Sequence, residues 1–217
     1  MKNNLIFLFL SISALIFSQK KVNEKIETSL NNIEVFTEGL DNILLENSNS
    51  NFVEISLFDE NLLQHHILVN EQSNILKVSF KINQLKEDET IFRKFITKRL
   101  QRAYAVIKVP KDKLVTFLGE NINIESKSYK GNLSIIIEKG IINLNKVHKN
   151  VLVKLYAGTI NASLSNTSID VVSNIGKIKI DNKIVKRLYK KQDIKSANKF
   201  IVKSIKSNII LTTNKVQ

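Results

Sequence analysis

Apolar residues in the second half of the chain fall in short runs of strict alternation, and the runs repeat every eighteen residues. Gly140, Gly158 and Gly176 mark the repeat. Counted from each glycine, apolar residues recur seven positions before (Leu133, Val151, Ile169) and five before (Ile135, Val153, Val171). Three before come Ile137, Leu155 and Ser173. Two after come Ile142, Ile160 and Ile178, and four after come Leu144, Ala162 and Ile180. Alternation puts every second side chain on one face, so each repeat reads as two strands with one buried face. A fourth repeat fits with Ser207 in place of glycine, its inward residues being Phe200, Val202, Ser204, Ile209 and Leu211. Of these 20 positions 18 are apolar in a chain that is 43% hydrophobic, an excess that argues against chance register. A looser coil precedes them, with Val115, Phe117, Ile122 and Ile124 around Glu120.

A single two-strand coil cannot bury its apolar face, whereas coils stacked on one another can. Each inward Ile or Leu contributes roughly 1.5–3 kcal/mol when fully buried. The glycines fall between the two strands of a coil, where the chain turns and a residue without Cβ tolerates positive φ. The expected fold is all-β, a β-solenoid (β-helix or β-roll) of about 18-residue two-strand coils, with an N-terminal strand region and one amphipathic helix. A β-sandwich with evenly spaced strands is the alternative, although a sandwich does not require a fixed register.

The segment from Val106 to Thr213, about half the chain, resembles the bacterial putative-adhesin domain family. The residues that carry the likeness are VIKVPKDK (Val106–Lys113), KGNLSIIIEKGIINL, VLVKLYAGTINASL and IDVVSNIGKIKID. That family has a strand ending in Val-Pro followed by glycine-marked strand pairs, matched here by Val109-Pro110 and the three glycines. The fourth coil departs from the pattern by lacking its glycine. The resemblance implies an exported solenoid domain and no particular activity.

Before this block, residues 22–83 predict strands without clean register: Asn32–Phe36, Asn42–Leu45, Phe52–Phe58, His66–Val69 and Ile75–Ile82. Asn/Ser/Asp clusters separate them. They are expected to pair with the solenoid or cap its open ends. The run KEDETIFRKFITKRLQRA predicts a helix over 87–102. Its acids lead and its bases trail, as the helix dipole favours. Phe92, Phe95, Ile96 and Leu100 share one face. Such a helix either docks on its own protein or lies on an anionic membrane through Arg93, Lys94, Lys98 and Arg102.

Lys2, an apolar run from Leu5 to Phe17 and then Ser18-Gln19 read as a secretory signal peptide over residues 1–18. Residues 19–217 would then form one domain, with regular coils over 103–213, and the protein would reside in the periplasm, at the cell surface or outside. The mature chain is expected to carry no transmembrane segment. No cysteine is present, so neither disulfides nor thiol chemistry are available.

The net charge of +13 favours anionic partners such as an acidic glycan, lipopolysaccharide, extracellular DNA or anionic lipid. A coding bias toward Lys, Asn and Ile would produce the same balance. Between the third and fourth coils, residues 182–198 form a basic insertion holding Lys183, Lys186, Arg187, Lys190, Lys191 and Lys195. Insertions in solenoids become loops on one face, often the binding face. These cations are the candidate polyanion contacts, and a solvated charged loop is the plainer reading. Outward positions of the first strands (Ile136, Leu152, Tyr156, Val172, Ile201, Ile205) are apolar enough to suggest a covered sheet or a homo-oligomer contact. Those of the second strands (Asn143, Thr159, Asn161, Lys177, Lys179, Asn208) are polar.

No stacked acids mark a polysaccharide-cleaving groove. His65 and His66 would point to opposite faces of a strand and make a poor metal pair. The sequence therefore predicts no catalytic residue, no cofactor and no metal. It points to a non-enzymatic exported binding or scaffolding module that contacts an anionic glycan, lipopolysaccharide or an envelope protein. A polysaccharide-active enzyme and a self-assembling envelope protein are the alternatives.

Overall fold

The computed structural model describes residues 21–58, 66–81, 103–193 and 196–214. The expected signal peptide, the expected helix at 87–102, His65 and Lys195 lie outside the described residues. In chain order the strands are β1 (Lys21–Glu27), β2 (Asn32–Phe36), β3 (Asn42–Asn47), β4 (Phe52–Phe58), β5 (His66–Gln72) and β6 (Ile75–Lys81). Next come β7 (Tyr104–Val109), β8 (Leu114–Asn121), β9 (Asn123–Ser126), β10 (Asn132–Val147) and β11 (Val151–Ser165). The last are β12 (Ser168–Ser173), β13 (Ile178–Ile180), β14 (Lys183–Val185), β15 (Leu188–Lys191) and β16 (Lys199–Asn214).

The described chain is all-β, and its strands form one mixed sheet. All twenty inward positions of the four repeats are buried, as are Val115, Phe117, Ile122 and Ile124. All of them except Ser173 and Ser204 share one hydrophobic cluster. The eighteen-residue spacing is the register itself. Parallel β10 and β11 pair Leu133 with Val151, Gly140 with Gly158 and Ile142 with Ile160. β10 pairs with β8 along its first part and with β9 along its second, and β16 pairs likewise with β12 and β13.

The tiers do not stack in sequence order. β16, the fourth repeat, lies between β11 and β12, pairing Val151 with Phe200 on one side and Ile169 with Phe200 on the other. The third repeat, β12 and β13, is therefore the outer one. The same exchange occurs at the other end. The tier of β2 and β3 pairs directly with β8 and β9, while β6 and β7, later in sequence, lie outside it. The N-terminal strands thus include two full tiers in register with the repeats, where the sequence showed none. The register was hidden by the corners. From Leu133 to Ile142 the two strands are nine residues apart, whereas the equivalent step is ten from Ile33 to Ile43 and twenty-nine from Leu76 to Ala105.

Each exchange leaves a connecting segment that closes the exposed end. At one end β4 pairs antiparallel with β7, β5 with β6, and β1 adds outside β4. At the other, β14 pairs antiparallel with β13, and β15 with β12. Two-residue turns set both returns. Ser73-Asn74 (φ 54 and 62) joins β5 to β6, and Asp181-Asn182 (φ 48 and 65) joins β13 to β14. Positive φ at both central residues is the hairpin geometry that matches strand twist, and Asn and Asp tolerate it. Open parallel edges invite pairing with other chains, so ending the stack in short, charged antiparallel strands limits that hazard.

Candidate functional site

The predicted insertion folds as the β14–β15 cap, and not as a loop on one face. Asp181 anchors its entry. The carboxylate accepts from the Thr213 backbone N–H at 2.7 Å and from the Thr213 hydroxyl at 2.5 Å. These bonds hold its pKa below the usual carboxylate value, with Lys191 and Lys183 adding to the effect. Between the two cap strands, the Arg187 carbonyl accepts from the Ser173 backbone N–H. Tyr189 pairs with Val171 and packs against the core.

Lys183, Lys186, Arg187, Lys190 and Lys191 are all exposed. Lys190 bridges to Asp170 at 3.2 Å. Lys183 and Lys191 lie close enough to Asp181 to affect its titration. Lys186 and Arg187, between the two cap strands, form no ion pair among the described residues. The cap thus gathers five of the predicted cations at one end of the stack. Lys195 and the secondary candidates Arg93, Lys94, Lys98 and Arg102 lie outside the described residues.

The charge around the cap is strongly one-sided. Residues 151–214 hold twelve Lys and Arg against three acids, whereas residues 3–150 hold nineteen against seventeen. Because β11, β16, β12 and β13 with the cap are one end of the stack, the segment that forms this end accounts for nine of the chain's thirteen net positive charges. This asymmetry was available in the sequence as a running charge count, but its meaning depended on the stacking order.

The outward columns also change. Between Leu152 and Asp170 the structure places Ile201, and between Lys154 and Val172 it places Lys203. Ile136, Tyr156 and Ile205 are exposed, while Leu152, Val172 and Ile201 are half-buried. Asparagines form short ladders at the same eighteen-residue spacing. Asn161 Nδ2 donates to Asn143 Oδ1 at 2.7 Å, and the Asn150 backbone N–H donates to Asn132 Oδ1 at 3.2 Å. These ladders satisfy polar groups along the stack.

Away from the cap, a surface hollow of about 610 Å³ lies against the corners of the β2–β3 and β8–β9 tiers. Phe36 and Leu118 give it an apolar wall, and Glu38, Asp41 and Glu120 give it three exposed acids. His66 opens β5 and is exposed.

The arrangement has a known counterpart. The structure of a putative cell adhesion protein from Clostridium sporogenes matches with a TM-score of 0.63 and 14% identity, over 91% of this chain and all of that one. The chain has the fold of that protein. Putative adhesins from Bacteroides fragilis and Parabacteroides distasonis match over 91% of this chain and 98% of theirs, at 11% identity and TM-scores of 0.31 and 0.29. No family model and no curated protein matches the sequence. At 91% of this chain, the likeness to the Clostridium sporogenes protein extends beyond the Val106–Thr213 segment.

Proposed function

We propose that the protein is an exported, non-enzymatic binding or scaffolding module that engages anionic surface polymers through its basic capped end. In this reading the tiers wind as a β-solenoid, and residues 1–18 direct export. The observation that carries it is the concentration of excess positive charge around the β14–β15 cap, where Lys186 and Arg187 have no acidic partner among the described residues. A rigid surface of like charge raises the local concentration of a polyanion and speeds its association. The resemblance to adhesion-type folds agrees with a role at the cell envelope.

The test is affinity for lipopolysaccharide, a sulfated glycan and DNA as a function of salt. Binding should weaken steeply with salt, and K183Q, K186Q, R187Q, K190Q and K191Q together should flatten that dependence. No binding at low salt, or an unchanged salt slope in the neutralised variant, would overturn the reading.

One observation favours a second reading. The hollow with Glu38, Asp41 and Glu120 supplies the clustered acids that a polysaccharide-active enzyme needs. Incubation with neutral and acidic polysaccharides tests it. New reducing or unsaturated ends that E38Q/E120Q fails to produce would support an enzyme, and intact polymers would end that reading.

A further inference from the structure

The outward face of the first-strand row carries a feature separate from the cap. Lys154 on β11 and Lys203 on β16 are direct cross-strand partners. Side chains so placed stand on the same face, and like charges directly opposite each other repel. Both are exposed, and neither forms an ion pair among the described residues. The next residues along their column are apolar, Ile136 on β10 and Val172 on β12. Leu152 pairs with Ile201 on one flank. On the other, Tyr156 and Ile205 are exposed at 44% and 43%, with Lys206 Nζ 5.6 Å from the Tyr156 ring centroid. Of the nearest acids, Asp170 is held by Lys190, and Glu138 is exposed on β10.

We infer that this face docks on an anionic lipid bilayer. Two adjacent cations with no ion pair among the described residues, flanked by Ile136, Val172, Tyr156 and Ile205, call for an occupant with both an anion and hydrocarbon. A hydrophilic polyanion would satisfy the lysines and leave Ile136 and Ile205 in water. A second copy of this chain would cover the apolar residues, but a symmetric contact centred here would bring four lysines together on chains of net charge +13. A lipid surface answers both needs. Headgroup phosphates accept from the lysines, and the Ile side chains and the Tyr156 ring enter the boundary with the acyl chains. A basic residue near an anionic membrane contributes about 1 kcal/mol.

The experiment is co-sedimentation of the mature chain with vesicles of phosphatidylcholine alone and of equal parts phosphatidylcholine and phosphatidylglycerol. Folding of each variant is checked by circular dichroism. Wild type should bind the anionic vesicles and scarcely the neutral ones. K154Q/K203Q should lose about tenfold or more in affinity, K154R/K203R should retain it, and I136N/I205N should lose affinity while keeping its salt dependence. Neutralising the cap lysines should leave vesicle binding intact, which separates this face from the proposed polymer contact. Three results would overturn the inference: vesicle binding unchanged in K154Q/K203Q, binding fully competed by soluble glycerol phosphate and indifferent to I136N/I205N, or a dimer in light scattering that I136N/I205N dissolves.

Discussion

The Ser173 hydroxyl donates to the Ser207 carbonyl at 2.6 Å, across two adjacent tiers and in the most buried part of the corner. Ser173 and Ser204 are the two polar residues in the inward columns, and the stacking order makes them direct neighbours. Ser204 Oγ accepts from the Ser207 N–H at 3.1 Å and lies 2.6 Å from Ser207 Oγ, while Ser173 Oγ accepts from the Gly176 N–H at 3.2 Å. Two exceptions to the apolar pattern are thus one satisfied network. The glycine-free corner at Ser207 is part of it.

Ser173→Ala should therefore destabilise by about 1–3 kcal/mol, because it leaves the Ser207 carbonyl and the Gly176 N–H without their partner. Ser204→Ala should cost a similar amount. The two together should cost less than the sum, since they share Ser207. Urea unfolding of the single and double variants measures this. Additive costs would show that the two hydroxyls act separately.

The glycine column makes a sharper distinction. Gly158 has φ +146, and a Cβ there would come within 1.9 Å of the Gly140 carbonyl oxygen. Gly158→Ala strains a backbone and collides with another that cannot yield, so a loss above about 3 kcal/mol is expected. At Gly119 the collision is with the Thr37 hydroxyl, a side-chain atom, and φ is not strained. Gly119→Ala should be the milder change in melting temperature. Gly119 pairs with Ile137 and so lies outside the Gly140–Gly158 column; equal effects would mean that close backbone approach between tiers does not set the cost at Gly158.

How much of this could be read from the chain follows from the same residues. Ile160 and Ile142 were legible because a buried parallel stack repeats one face in one register, and register is what alternation records. The order of the tiers was not. Val151 pairs with Phe200, forty-nine residues later, because the connection after Ile180 turns back at Asp181-Asn182 and caps the end before β16 enters. The Asp-Asn and Ser-Asn turns were visible as residue pairs, yet only their positive φ shows them as tight returns. The tier of Ile33 and Ile43 was missed because its corner is one residue longer. The cations of the cap were found by composition. Lys154 and Lys203 were not singled out, because they become neighbours only through the tier exchange.

Ile160 is fully buried at the centre of the stack. Ile160→Val should cost about 0.5–1.5 kcal/mol for the lost methylene. Ile160→Asp places an unpaired charge in an apolar core and should abolish the cooperative melting transition at neutral pH. A native-like transition in the Asp variant would contradict the packing.

His148 gives the fold a pH response on the acidic side of neutrality. Partial burial lowers its pKa below the ordinary 6.5, and Lys146 and Lys130 add repulsion to its charged form. The unfolded chain therefore takes up this proton at a higher pH than the folded one. Above pH 6.5 both states are neutral and the stability is full. As pH falls through 6.5 toward the depressed folded value, the unfolded state binds more protons and stability declines. Thermal melts across this window should show the decline, and His148→Asn should reduce it. An identical pH profile in the variant would assign the response to other groups.

The tier exchange itself can be tested covalently, because the chain has no cysteine to interfere. Leu152 and Ile201 are cross-strand partners on adjacent parallel strands, so their Cα atoms lie at about 4.8 Å spacing. That is within the disulfide range of about 4.4–6.8 Å. Leu152 and Asp170, eighteen residues apart, would be the neighbours if the repeats stacked in sequence order, but β16 separates them. Two tiers amount to about 9.6 Å, beyond the reach of a disulfide. Leu152→Cys with Ile201→Cys should oxidise rapidly to an intramolecular disulfide, seen as a faster band on a non-reducing gel and a loss of 2 Da, about the mass of the two thiol hydrogens. Leu152→Cys with Asp170→Cys should stay reduced under the same conditions. The opposite outcome would place the third repeat beside the second and remove the basis for the cap. It would also part Lys154 from Lys203, so the lipid-facing pair stands or falls with this same crosslink.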